Sequence, residues 1–142
     1  MKVHTSLNPN VSVLRIFPGI PASIVEAYLK PPIRGIILET FGVGNCPTNR
    51  EDLLGLFKDA AERDVIILNI SQCARGSVEN ELYATGRFLS TFGIVGGADM
   101  TIECALAKLS FLLGLEPALP TTEIRRLLGQ NLCGELSRLE TL

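Results

Sequence analysis

The chain has 142 residues, of which 46% are hydrophobic and 20% are charged, and its formal net charge is −2. This length suits one domain with a core large enough to fold without disulfides or a structural metal, so we expect residues 1–142 to form a single domain. The near-neutral charge, without a basic stripe, argues against a nucleic-acid partner. The first ten residues are polar, unlike a signal peptide, and no apolar stretch is long enough to cross a membrane. We therefore expect a cytoplasmic protein without a membrane partner.

Strand-like and helix-like segments alternate along the chain. The strands are predicted at residues 11–17, 35–41, 65–70 and 94–95. The helices between and after them are predicted to begin near Pro21, Thr48, Val78, Asp99 and Thr121 or Thr122. Thr48-Asn49-Arg50-Glu51 has the form of a capping box, the helix from Val78 is expected to reach Phe92, and Asp99 is placed to cap the helix that follows it.

The strand at residues 65–70 predicts the fold class, because it is almost entirely apolar. Such a strand suits a parallel sheet that is covered on both faces. With right-handed crossovers between parallel strands, we expect an α/β three-layer sandwich, Rossmann-like or flavodoxin-like. It would consist of a small sheet of about four parallel strands with helices on both faces.

The carboxyl edge of this sheet is the predicted place for a ligand. Asn45 lies there in Gly42-Val43-Gly44-Asn45, where two glycines permit backbone angles that a side chain would forbid. Ser71, Gln72 and Cys73 follow the third strand and Asp99 follows the fourth. These groups would suit a small polar ligand such as an amino acid. The alternative for Asn45 is a tight turn without a ligand.

The residues alone do not form a catalytic set. A nucleophile needs an activating base, and the only histidine, His4, precedes the first strand. Cys73 is therefore a candidate ligand contact or an inert thiol. None of the four cysteines forms a C-x-x-C pair, so we expect no metal, and we expect buried free thiols. The glycine loop lacks the third glycine of the dinucleotide fingerprint, and no cofactor is expected.

Several motifs resemble the C-terminal domain of cytosolic (type I) L-asparaginases. The matching segments are Phe17-Pro-Gly-Ile20, Leu38-Glu-Thr-Phe-Gly-Val-Gly-Asn-Cys-Pro47, Asn69-Ile-Ser-Gln-Cys73, Gly93-Ile-Val-Gly-Gly-Ala-Asp-Met-Thr-Ile-Glu103 and Asn131-Leu-Cys-Gly-Glu-Leu136. They occur in order along nearly the whole chain. The fold that this resemblance implies agrees with the one derived from the strand pattern.

The resemblance implies an amidohydrolase that converts L-asparagine and water to L-aspartate and ammonia. In this family the threonine nucleophile belongs to an N-terminal domain with a T-G-G-T motif, which the present sequence lacks. The chain alone is therefore expected to be inactive and to need an N-terminal asparaginase domain in a homo-oligomer. Asn45 matches the asparagine that completes the substrate site of a neighbouring subunit.

The resemblance also implies a second, allosteric asparagine site in bacterial members, where a cysteine matches Cys73. An arginine of that site is replaced here by Glu39, as in the animal branch with its Leu-Glu-Thr-Phe-Gly form. A carboxylate at this position would repel the carboxylate of the effector. Two other functions remain open: a stand-alone module that binds a small amino acid, and the matching part of a glutamine-dependent amidotransferase subunit.

Overall fold

Alternating strands and helices form the domain, in a computed structural model that describes residues 4–46, 49–73, 77–78 and 89–137. The strands are β1 (Val11–Arg15), β2 (Gly35–Thr40), β3 (Ile66–Ser71) and β4 (Val95–Gly96). The helices that we name are α1 (Ala22–Leu29), α2 (Glu51–Glu62), α3 (Ile102–Leu113) and α4 (Thr121–Leu128). All four predicted strands are present, with ends that differ from the prediction by one or two residues.

The four strands form one parallel sheet in the order β1-β2-β3-β4. Val13 pairs with Ile37, and Ile37 pairs in turn with Leu68. β4 is short and pairs through Leu68 with Val95 and through Asn69 with Gly96. The prediction of a four-stranded parallel sheet is confirmed, and every strand ends at the same edge.

Two apolar clusters lie on opposite faces of this sheet. Because strand side chains alternate between faces, Ile36 and Leu38 face one cluster while Ile37 faces the other. The first cluster includes residues of α1 and α2, and the second includes residues of α3 and α4. The domain is therefore a three-layer sandwich, as predicted. Among the described residues, no helix is long and apolar enough to cross a membrane.

The predicted helix starts are partly wrong. α2 is capped by Arg50, whose side chain makes no capping hydrogen bond, and Thr48 of the predicted capping box lies outside the described residues. α3 is capped by Thr101, whose Oγ1 accepts a hydrogen bond from the backbone N–H of Cys104 at 3.3 Å. Asp99 is two residues too early for this cap. α4 follows Pro120, so Thr121 begins the helix and does not cap it.

Most of the helix predicted from Val78 to Phe92 lies outside the described residues, at positions 79–88. Residues 89–91 are helical. Val78 is not a helical residue: it forms an antiparallel bridge with Ala98, and its N–H donates to the Ala98 carbonyl at 2.9 Å. This bridge places Val78 beside the loop that follows β4.

Candidate functional site

The loops at the carboxyl edge of the sheet border a cleft of about 220 Å³. Its lining residues are Glu39, Ile70, Ser71, Gln72, Cys73, Asp99, Met100, Thr101, Ile102 and Glu103. Three of the predicted residues, Glu39, Cys73 and Asp99, thus share one cleft. Asn45 is not among its lining residues and lies on the neighbouring loop after β2.

The loop that carries Asn45 has a fixed backbone. The N–H of Asn45 donates to the Phe41 carbonyl at 2.8 Å, and the N–H of Phe41 donates to the Asn45 carbonyl at 3.1 Å. Gly42 and Gly44 have φ angles of 50° and 105°, which L side chains rarely adopt. The hydroxyl of Ser71 donates to the Gly42 carbonyl. The loop therefore holds its backbone in place while the Asn45 residue is exposed.

Two fully buried polar residues, Thr40 and Asn69, lie beneath this loop. Thr40 Oγ1 donates to Asn69 Oδ1 at 2.6 Å, and Asn69 Nδ2 donates to the Gly44 carbonyl at 3.3 Å. Neither residue was predicted from the sequence to have a role. A signal was available, because Asn69 interrupts the apolar strand Val65-Ile-Ile-Leu-Asn-Ile70.

Gln72 connects the ends of two strands. Its Nε2 donates to the carbonyls of Ile16 and Glu39, at 2.5 Å and 2.9 Å. Its backbone N–H donates to the Thr40 carbonyl at 2.9 Å. These bonds make Gln72 a structural residue of the edge, although it also borders the cleft.

The cleft is electrostatically negative. Glu39, Asp99 and Glu103 contribute three carboxyl groups, and its lining residues include neither lysine nor arginine. The side chain and the backbone N–H of Ser137 hydrogen-bond to Asp99 and hold the pKa of its carboxyl group below the usual range. The backbone bond to Asp99 Oδ1 measures 2.7 Å. An anionic group entering this cleft would therefore be repelled.

The cysteines are free, but only one of them is buried. Burial raises the pKa of the Cys46 thiol to about 11, so this thiol is protonated at neutral pH. Cys73 and Cys133 are exposed and Cys104 is half-buried. The expectation of buried thiols thus holds for Cys46 alone. Cys73 lies at the rim of the cleft, where its N–H donates to Ser71 Oγ at 3.0 Å.

A buried ion pair anchors the segment that supplies Ser137. Lys108 Nζ lies 2.6 Å from Glu135 Oε1, with only 5% and 7% of the two side chains exposed. Although burial by itself would raise the pKa of Glu135, hydrogen bonds from Lys108 and from backbone N–H groups, including those of Leu132 and Cys133, hold that pKa well below its usual range. The pair was not predicted from the sequence, because its members are far apart in the chain.

Comparison with known protein families gives one match that covers most of the chain. Residues 10–128 match the glutaminase/asparaginase C-terminal domain. Among solved structures, L-asparaginase I from Vibrio cholerae is similar, with a TM-score of 0.85 and 41% identity, over 93% of this chain and 39% of that one. The chain belongs to the glutaminase/asparaginase C-terminal domain family.

Three relatives place the chain within larger proteins. The "60 kDa lysophospholipase" of Mus musculus is 47% identical over 95% of this chain and 23% of its own length. "L-asparaginase 1" of Escherichia coli (strain K12) is 42% identical over 95% and 39%. A glutamyl-tRNA(Gln) amidotransferase subunit of Pyrococcus horikoshii is 33% identical over 95% and 30%. The chain thus spans between 23% and 39% of the length of these relatives.

Proposed function

We propose that this chain is the C-terminal domain of an L-asparaginase, which hydrolyses L-asparagine to L-aspartate and ammonia. The proposal is supported by the family match over residues 10–128 and by the 42% identity with L-asparaginase 1. The threonine nucleophile would come from an N-terminal asparaginase domain. Free thiols are usual in the reducing cytoplasm, which is where we place the protein, as a homo-oligomer.

The observation that carries the proposal is the geometry of the Asn45 loop. An exposed amide stands on a backbone that is held by two hydrogen bonds between Phe41 and Asn45. An amide side chain can both donate and accept hydrogen bonds. Asn45 would use these groups to orient the substrate in the active site of a neighbouring subunit.

The chain alone would not perform this reaction. His4, the only histidine of the sequence, packs edge-on against the Phe111 ring, with centroids 5.8 Å apart. Phe111 lies near the end of α3, away from the carboxyl edge where α3 begins, so His4 is not placed to activate Cys73. The hydrolysis therefore requires residues from a second domain.

The cleft beside Cys73 and Glu39 would serve as the effector site. Its 220 Å³ volume suits a small molecule, but its three carboxyl groups oppose an amino-acid carboxylate. In this proposal the effector response is weaker than in relatives with an arginine in place of Glu39. The alternative of a stand-alone amino-acid-binding module would use the same cleft.

The test is a hybrid enzyme in which this chain replaces the segment of E. coli L-asparaginase 1 that it matches. We expect ammonia release from L-asparagine by the hybrid and none by the isolated chain. In the hybrid, Asn45→Ala is expected to lower kcat/KM roughly ten- to a hundredfold, which corresponds to the loss of one hydrogen bond in a desolvated site. Thermal melting should be unchanged, because the side chain is exposed.

Asn49→Ala is the matched control, since Asn49 is an exposed asparagine in the same connection. It should retain the kinetics of the unmodified hybrid. A folded hybrid without activity, or an Asn45→Ala variant with unchanged kinetics, would contradict the proposal. L-Glutamine and a lysophospholipid are assayed in parallel. Preference for glutamine would favour the amidotransferase alternative, and turnover of the lipid would favour the activity named for the mouse relative.

A further inference from the structure

Two polar side chains are completely buried in the otherwise apolar strands β2 and β3. Thr40 and Asn69 are both 0% exposed, and Leu38, Leu68 and Ile70 beside them are apolar. Buried polar groups are stable in proteins where hydrogen bonds satisfy them. The partners of Thr40 and Asn69 therefore show what the two residues hold in place.

The bonds form a chain with a defined direction. Thr40 Oγ1 donates to Asn69 Oδ1 at 2.6 Å and lies 3.4 Å from the Ile70 carbonyl. Because a hydroxyl donor faces Oδ1, the amide of Asn69 must direct its Nδ2 to the other side. That Nδ2 donates to the Gly44 carbonyl at 3.3 Å. Thr40 thus sets the orientation of the Asn69 amide, and the amide holds Gly44.

Gly44 is seated tightly on this support. A Cβ atom at Gly44 would lie 2.7 Å from Val78 Cγ1 and 3.2 Å from Asn69 Nδ2. The residue is buried and its φ of 105° is rarely accessible to other residues. The next residue in the chain is Asn45. A shift of Gly44 would therefore move Asn45 directly.

We propose that Asn69 is a positioning residue for Asn45 and that Thr40 orients Asn69. This inference rests on the proposed role of Asn45 in substrate binding. The backbone of Asn69 also accepts a hydrogen bond from Gly97 N at 2.7 Å. Asn69 thereby ties the Asn45 loop to the loop after β4, in addition to its side-chain bond with Gly44.

The hybrid enzyme provides the kinetic test. Asn69→Leu has a similar volume but neither hydrogen bond, and it should lower kcat/KM roughly fivefold to tenfold. In the Asn45→Ala background the same substitution should have no further effect, because the misplaced group is already absent. Additive losses from the two substitutions would overturn the proposal, since they would mean that Asn69 acts independently of Asn45.

Thr40 supplies variants that test the proposal even if Asn69→Leu does not fold. Thr40→Val keeps the shape of the side chain but removes the donor, and it should reproduce the loss of activity. Thr40→Ser keeps the hydroxyl and should restore it. Equal activity of Thr40→Val and Thr40→Ser would contradict the proposed orientation of Asn69.

Hydrogen exchange on the isolated chain separates this inference from the proposed function. The Asn45 N–H is bonded to Phe41 O, and Thr40→Val should accelerate its exchange more than Thr40→Ser does. If exchange accelerates while Asn45→Ala leaves hybrid activity intact, the positioning is right and the proposed function is wrong. If Asn45→Ala impairs activity and Thr40→Val changes neither exchange nor kinetics, the positioning is wrong.

Discussion

A single charged side chain, Glu135, joins the last described segment to the rest of the domain. It accepts hydrogen bonds from the N–H groups of Leu132 and Cys133 and pairs with Lys108, whose Nζ also donates to the Leu128 and Gln130 carbonyls. Removal of one partner leaves a buried charge without compensation, which is strongly destabilising. The effect of this residue on stability should therefore exceed that of an exposed ion pair.

We predict that Glu135→Gln lowers the free energy of unfolding by about 3 kcal/mol at pH 7. The folded-state pKa of Glu135 is depressed, so the contribution of the pair is complete above the unfolded-state value of about 4.3. It is lost as the pH falls from there toward the folded-state pKa. Urea denaturation at pH 7 and at acidic pH measures both effects.

Glu62→Gln is the control, because Lys58 and Glu62 form an exposed pair 3.9 Å apart. Its effect should stay below about 0.5 kcal/mol. If Glu135→Gln were as mild as Glu62→Gln, the buried pair would contribute little to the fold.

Glu39 is the residue that should determine the charge preference of the cleft. We predict that Glu39→Arg strengthens binding of L-asparagine or L-aspartate to the chain by roughly tenfold, because an attraction replaces a repulsion. Glu39→Gln should give an intermediate affinity. Isothermal titration calorimetry measures the three dissociation constants. An unchanged affinity in Glu39→Arg would exclude this cleft as the binding site for the amino-acid carboxylate.

At the scale of elements, the strands could be predicted and the helix ends could not. The strands are apolar runs with little ambiguity, as β3 illustrates. Asp99 and Thr101 are both suitable caps by residue type, and only the backbone decides between them: Thr101 is extended, with φ −71° and ψ 161°. Periodicity also overestimated the buried face of α1, since Ile24 and Tyr28 are each 40% exposed while Val25 and Leu29 are buried.

The same reasoning applies to the candidate site. Sequence order places Glu39, Cys73 and Asp99 at one edge, because parallel strands end together. The bonds from Thr40 to Asn69 and from Lys108 to Glu135 depend on tertiary register, which no local pattern encodes. The sequence could therefore predict the location of the cleft, but not the buried groups that hold its borders.

The observed cap leads to a prediction for α3. Thr101→Ala should lower the free energy of unfolding by about 1 kcal/mol, because the N–H of Cys104 loses its acceptor. Thr122→Ala is the matched control, since Thr122 is exposed in the first turn of α4 and Pro120 occupies the cap. Thermal and urea unfolding of both variants provide the measurement. A larger effect for Thr122→Ala would reverse our assignment of the caps.

At the scale of the whole molecule, the segment before β1 closes the end of the sandwich opposite the cleft. The N–H of Asn8 donates to the Ser110 carbonyl at 2.9 Å. At Gly114, a Cβ atom would lie 2.8 Å from the Ser6 carbonyl oxygen and 2.9 Å from Asn8 N. Because these are backbone atoms, the segment would have to move as a unit to accept a side chain.

We therefore predict that Gly114→Ala lowers the free energy of unfolding by about 1–3 kcal/mol, the usual range for overpacking. Gly55→Ala is a control of opposite sign: Gly55 is exposed within α2, and a Cβ atom there meets nothing within 4 Å. It should stabilise the chain by about 0.5–1 kcal/mol. Chemical denaturation of the two variants compares them, and a neutral Gly114→Ala would show that the segment adjusts freely.

The order of the strands in the sheet bears on how the domain forms during synthesis. Since β1, β2, β3 and β4 are neighbours in that order, each strand can join the sheet as soon as it leaves the ribosome. Lys108, in contrast, is made 27 residues before Glu135, which completes its ion pair. We expect α3 to remain loosely attached until that late carboxylate arrives, so translation would finish the helical layer last.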